Sequence, residues 1–382
     1  MYFLDAAIAQ QIVDRTMRII QHNINVMNSQ GVILGSGDKS RINTVHEGAL
    51  LAISQNRAVT IDQGSLQSLH GVKAGVNLPL HYHGQIIGVV GITGDPAKLG
   101  QYGELLKMTA EMMVEQANSL ELKQWHKRQR EEFILQLVRQ EGPLPAGMYA
   151  WAQQLEIDLT QPRVAALIEL NGDGILATTL KDIQQLLEYP QRDNLVAMTA
   201  MDQLVILKPA FLDGKRWDPQ LEDLRIEKLL ARLPADTKGR VKIALGHYFP
   251  EAGGLQRSYQ TACETLKLGK HTAPEQTKYL YQDHAVSVLL SSLGNDWRGH
   301  ELAMPFIKLQ LQDRRGVLLK TLRAYLQHFG DQQRCADALY VHRNTLRYRL
   351  EKIAEISGID LSSLDGLLQL YLGDVLSRIE PE

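Results

Sequence analysis

The chain has 382 residues, 44% of them hydrophobic, and a formal net charge of −2. That is apolar material enough for two or three separately cored domains, and the charge excludes a general polycation, so any nucleic-acid affinity has to come from a local patch. Cys263 and Cys335 match no metal or redox spacing, no apolar run approaches the roughly 20 residues of a membrane span, and the N-terminus lacks the pattern of a signal peptide. A cytoplasmic protein is expected, with no membrane contact, no metal and no other cofactor.

In chain order, residues 1–120 read as one α+β unit. A helix carrying Ile8, Ile12 and Ile19 on one face leads to residues 24–35, two strand-like runs split by a Ser-Gln-Gly turn. A helix over 47–54 follows, and residues 75–94 read as a hairpin turning at His83 and Gly84. A sheet with helices on a face and a ligand in the gap is the layout of a small sensor domain; a dimerisation module of similar shape would share the pattern. Residues 102–140 are helical, with Leu105, Met108 and Met112, then Ile134, Leu137 and Val138, at helical spacing. Residues 121–145 are therefore expected to be a connecting helix, ended by Gly142 and Pro143, that either pairs with its counterpart in a dimer or is simply solvated. Residues 146–285 form a second α+β unit, with a strand at 163–170, a hairpin at 195–207, a strand at 241–246 and a helix at 254–267.

Residues 286–382 are mainly helical. Leu318, Leu322, Tyr325 and Phe329 line one helix, and Leu364, Leu368, Tyr371 and Val375 line another. Between them, residues 331–357 read as a helix-turn-helix. Asp331 caps a helix running to Leu339, Ala336 and Ala338 keep one face thin, Val341 plugs the turn, and a second helix starts near Arg343 and stops at Gly358. At 100 degrees per residue Leu350 and Ile353 fall within about 40 degrees of Leu346, which makes a buried stripe. Asn344, Arg347, Tyr348 and Glu351 fall on the opposite side, with Arg343 at the leading end, and His342, Arg343, Asn344, Thr345, Arg347, Tyr348 and Arg349 are the expected DNA contacts, residue types that hydrogen-bond base edges and phosphates. Residues 341–352 hold four Arg or Lys against one Glu, so positive charge is focused on this element.

The string Tyr-Val-His-Arg-Asn-Thr-Leu-Arg-Tyr-Arg-Leu at 340–350, followed by Ile-Ser-Gly-Ile-Asp-Leu at 356–361, resembles the DNA-binding domain of the purine-catabolism-regulator type. Residues 35–41, 46–49 and 75–80 resemble the sugar-diacid recognition domain. With these blocks in order, the whole chain is similar to the carbohydrate diacid regulators. The resemblance implies a multidomain bacterial transcription activator: an α+β sensor, an α+β degenerate cyclase-like domain and an all-α C-terminal domain. It also implies glucarate, galactarate or glycerate as effector, a homodimer on a double-stranded DNA operator, and RNA polymerase as a possible further partner. Active cyclases of the GGDEF type hold metal and nucleotide at a hairpin turn where this chain has only Asp202 as an acid, so catalysis is not expected. A drifted but working cyclase and a protein-contact module are the rival readings.

A small diacid needs two anion cradles with hydroxyl-reading groups between them. Arg41 supplies a bidentate fork, Ser36 and Gly37 a hydroxyl and close-approaching amides, and the helix beginning near Thr44 to His46 its N–H groups, with Gly48 also among the expected ligand contacts. His46 and Asn77 suit hydroxyls or the second carboxylate; a surface ion pair for Arg41, a cap for His46 and a turn role for Asn77 are the structural alternatives. His81 and His83 lack a third ligand at metal spacing.

Overall fold

The computed structural model describes residues 4–62, 72–172, 176–188, 192–211, 217–234, 237, 239–251, 253–294 and 296–379. Two compact units emerge, Met1–Arg128 and Gln129–Glu382.

In the first unit, α1 (Ala6–Met17) is capped by Asp5, which accepts from the Ile8 amide at 2.7 Å, and it buries Ala9, Ile12 and Val13. Ile19, expected on the same face, lies beyond the end of the helix and is exposed. Five antiparallel strands follow: β1 (Ile24–Asn28), β2 (Ile33–Ser36), β3 (Val59–Ile61), β4 (Gly75–Tyr82) and β5 (Gln85–Thr93), in the order β2-β1-β5-β4-β3. The β1–β2 turn is held by Asn28, whose side chain accepts from the Gln30 and Val32 amides. The β4–β5 turn puts His83 and Gly84 at φ 48 and 78, the left-handed pair of a tight hairpin.

One sheet face packs Ile24, Val26, Leu78 and Val90 against α1 and α3 (Pro96–Arg139). The other packs Met27, Ile33 and Val89 against Ala49 and Ala52 of α2 (Glu47–Gln55). The stripe of α3 that enters this core is Leu99, Leu106, Ala110 and Val114. Leu105, Met108 and Met112, the residues whose spacing marked the helix, are its exposed face.

In the second unit the strands are β6 (Arg163–Leu170), β7 (Leu195–Ala200), β8 (Gln203–Pro209), β9 (Val241–Leu245) and β10 (Lys278–Leu280). Their order is β10-β9-β6-β8-β7, with β9 and β10 parallel and the rest antiparallel. One face is covered by α4 (Ala146–Gln154) and α7 (Gly254–Thr272), the other by α5 (Leu176–Leu187) and α6 (Pro219–Arg232).

The C-terminal helices are α8 (Tyr281–Leu290), α9 (Trp297–Gln312), α10 (Val317–Gln327), α11 (Gln332–Leu339), α12 (Arg343–Ser357) and α13 (Leu364–Ile379). Phe329, expected on the apolar face of α10, lies past its end at φ 52 and is 95% exposed. On α13 the buried side is Leu370, Val375 and Leu376, while Leu364, Leu368 and Tyr371, expected to share a face with Val375, are exposed. Among the described residues no helix is long and apolar enough to cross a membrane.

Candidate nucleic-acid interface and buried polar site

The helix pair α11 and α12 forms as its local signals require. Asp331 Oδ1 accepts from the Arg334 amide at 3.0 Å, the chain reverses at Tyr340 with φ 56, and the Val341 amide returns to the Ala336 carbonyl at 3.0 Å. Cys335 and Ala336 are the thin buried pair on α11; Ala338, expected in that role, is exposed. On α12 the stripe Leu346, Leu350 and Ile353 is buried against α9, α10 and α11, and Gly358 ends the helix at φ 73.

With that stripe held, His342, Arg343, Asn344, Thr345, Arg347 and Tyr348 are exposed together along the leading turns of α12. His342 also caps the helix, its Nδ1 accepting from the Asn344 amide at 3.3 Å. Arg347 is held only loosely, 3.8 Å from Glu351, with both side chains 69% exposed. Arg349 differs. It is half-buried and its Nη1 donates to Thr321 Oγ1 of α10 at 3.4 Å, so it braces the module instead of joining the exposed row. The helical wheel explains this, since Arg349 stands about 60 degrees from Leu346. A rigid helix end presenting two arginines, an asparagine, a threonine and a tyrosine has the donors to read a major groove and grip phosphates.

In the first unit, buried polar side chains gather under the start of α2. Ser36, Asn25, Gly91 and Asn77 stand directly opposite one another across β2, β1, β5 and β4, so their side chains share one sheet face. Ser36, Asn25, Asn77 and His46 are all buried. Asn25 was not among the expected site residues; an asparagine between apolar neighbours in Ile24-Asn25-Val26 was the available signal.

The row has two halves. In the first, Ser36 Oγ donates to Asn25 Oδ1 at 2.7 Å and accepts from the Asp38 amide at 3.0 Å, and Asn23 Nδ2 donates to the same Asn25 oxygen. The Gly37 amide donates to the Ile24 carbonyl at 3.1 Å, and a methyl group at Gly37 would strike Met17 and Asn23. The hydroxyl and amide expected to cradle a carboxylate at Ser36 and Gly37 each have a partner within the fold. The second half is Arg41, His46, Gly48 and Asn77. The Asn77 amide lies between two glycines: a methyl at Gly48 would come within 2.9 Å of its Nδ2, and one at Gly91 within 2.8 Å of its Oδ1. His46 caps α2, its Nδ1 accepting from the Ala49 amide at 3.2 Å. Burial first, then the nearby Arg41 charge, hold the imidazole down at about 4, so at neutral pH it is uncharged. Neutral imidazole, a buried amide, a guanidinium and the first amides of α2 are a set suited to a polyhydroxy acid.

At the β7–β8 turn Asp202 has one carboxylate close in register, Glu169, opposite Gln203 on β6. Lys270 Nζ holds that carboxylate at 2.6 Å. Among the described residues no three His, Cys, Asp or Glu side chains gather as a metal site; His81 Nε2 is 2.8 Å from Asn56 Oδ1, and His83 sits in the hairpin turn.

The sugar diacid recognition family matches residues 4–137, the GGDEF-like domain family residues 140–268 and the PucR C-terminal helix-turn-helix family residues 318–373. The chain is 45% identical over 376 residues to the Carbohydrate diacid regulator of Escherichia coli strain K12, covering 97% of each. It is 40% identical over 382 residues to an uncharacterised protein of Haemophilus influenzae, covering 98% of this chain and all of that one. Among solved structures, a regulator of polyketide synthase expression from Bifidobacterium adolescentis aligns with 66% of this chain and 92% of its own, at 16% identity and a TM-score of 0.35.

Proposed function

The chain belongs to the carbohydrate diacid regulator family of helix-turn-helix transcriptional regulators, and from that premise we propose that it activates the genes for uptake and breakdown of a sugar acid when that acid binds its N-terminal unit. The effector is glucarate, galactarate or glycerate. The observation that carries the reading is the exposed row from Arg343 to Tyr348 on a helix whose opposite side is locked by Leu346, Leu350 and Ile353.

The effector sits against Arg41, His46, Gly48 and Asn77. Arg41 takes a carboxylate, and the neutral imidazole and the amide take hydroxyls. The protein works in the cytoplasm as a dimer, and the exposed α3 stripe of Leu105, Met108 and Met112 supports pairing with a second copy. Two helix-turn-helix modules then meet half-sites about one helical turn apart and recruit RNA polymerase.

The test is fluorescence anisotropy of the full-length protein on duplexes from upstream of its own gene and of neighbouring sugar-acid genes, with and without each acid. Salt-sensitive, sequence-selective binding whose affinity or footprint changes with one of the three acids is expected. Binding that ignores sequence would overturn the DNA reading. Selective binding indifferent to every sugar acid, with no acid changing the melting point, would overturn the effector reading alone.

A further inference from the structure

The face of the second sheet that lies under α5 and α6 holds a cavity of about 310 Å³. Its floor is Ile168 of β6, Ile206 of β8, and Ile243 and Leu245 of β9, with Leu187 and Leu229 as walls. Five cations line the same hollow: Arg192, Lys208, Arg225, Lys228 and Arg232. Glu222, 1% exposed, ion-pairs with both Lys208 and Arg225. The next carboxylates along α6, Asp223 and Glu227, are turned to Lys278 instead.

Cations collected round an apolar hollow repel one another in a medium that screens poorly. At Lys208, which ion-pairs with Glu222, burial and then the charges of Arg225 and Arg192 pull the ammonium down to about 7. An anion in the hollow would relieve that repulsion, and only an apolar body would suit the floor, because hydroxyls laid on isoleucine and leucine lose water without gaining partners.

We propose that this cavity is a second ligand site, for a small amphipathic anion: an apolar body with a carboxylate or phosphate head. The body lies on the isoleucine floor and the head meets the guanidinium groups, which take either acid in paired hydrogen bonds. A polyhydroxy diacid has no such body, so this ligand is distinct from the effector of the N-terminal unit. The cationic end of the cavity, where Lys208 opposes Val164, lies about 17 Å along the strands from the Asp202 turn, where Gln203 opposes Glu169, and the apolar floor runs toward that turn as far as Ile168.

Isothermal calorimetry on the full-length protein tests the proposal with octanoate, octyl phosphate, octanol, acetate and inorganic phosphate. Octanoate or octyl phosphate should bind saturably, at least about tenfold more tightly than octanol, acetate or inorganic phosphate, since each of those lacks one half of the ligand. The tighter of the two long anions identifies the head group. Lys228 and Arg232 are exposed, so the double substitution Lys228→Gln, Arg232→Gln should weaken binding about tenfold at an unchanged melting temperature. If the pair lowers the melting temperature, Arg232→Gln alone gives the same readout. Octanol binding as well as octanoate and octyl phosphate, no saturable binding of either anion, or unchanged affinity in these variants would each overturn the proposal.

Discussion

Acidifying the protein from pH 7 to pH 5 should loosen the N-terminal unit through one side chain, His46. The imidazole is 3% exposed, caps α2 through Nδ1, and has its folded pKa near 4 against an ordinary 6.5. Because the folded value is the lower one, the unfolded chain takes up the proton first as pH falls. The contribution is fully present above 6.5, is lost progressively between 6.5 and 4, and changes no further below that. At 1.36 kcal/mol per pH unit the loss is about 2 kcal/mol by pH 5 and about 3 kcal/mol by pH 4. His46→Asn keeps a good cap and removes the titration. Hydrogen exchange of the β1 and β5 amides in the intact protein, corrected for intrinsic rates, reads the local opening free energy. Wild type should lose about 2 kcal/mol more than His46→Asn between pH 7 and pH 5. Arg41→Ala should retain most of this difference, because burial is the larger cause of the depressed pKa and Arg41 the smaller. An equal acid loss in wild type and His46→Asn would refute the buried neutral histidine.

On α12, Asn344→Ala and Arg347→Ala should each weaken operator binding by about 1–3 kcal/mol with no change in melting, whereas Arg349→Ala should chiefly lower melting because it braces Thr321; binding titrations beside thermal scans separate the two classes. Leu350→Ala, at a position 7% exposed, should destabilise the C-terminal helices by about 2–5 kcal/mol in urea unfolding, and a loss under about 1 kcal/mol would mean the stripe is not the core of the module. Gly48→Ala pushes a methyl into Ile61 Cδ1 and to 2.9 Å from Asn77 Nδ2, so overpacking of about 1–3 kcal/mol should exceed the helix-propensity gain of about 1 kcal/mol and effector affinity should fall with it. A more stable Gly48→Ala protein would show that Asn77 is free to move aside.

What the sequence determined by itself is what short-range physics governs. The cap at Asp331, the turn at Tyr340, the stripe of Leu346, Leu350 and Ile353 and the stop at Gly358 all lie within about thirty residues, and helical periodicity and capping act over a few. The hairpin at His83-Gly84 and the strand at Arg163–Leu170 were legible for the same reason. Tertiary structure decided which of two apolar stripes faces inward: periodicity groups Leu105, Met108 and Met112 on one side of α3 but cannot say that Leu106, Ala110 and Val114 meet the sheet. It also decided the polar row. Asn25 and Asn77 are neighbours only because β5 lies between β1 and β4 with Gly91 in register with both, a pairing across more than fifty residues that no local rule specifies. That register pairs the Ser36 hydroxyl with Asn25 and sets Asn77 beside Gly48, at the start of the helix that His46 caps.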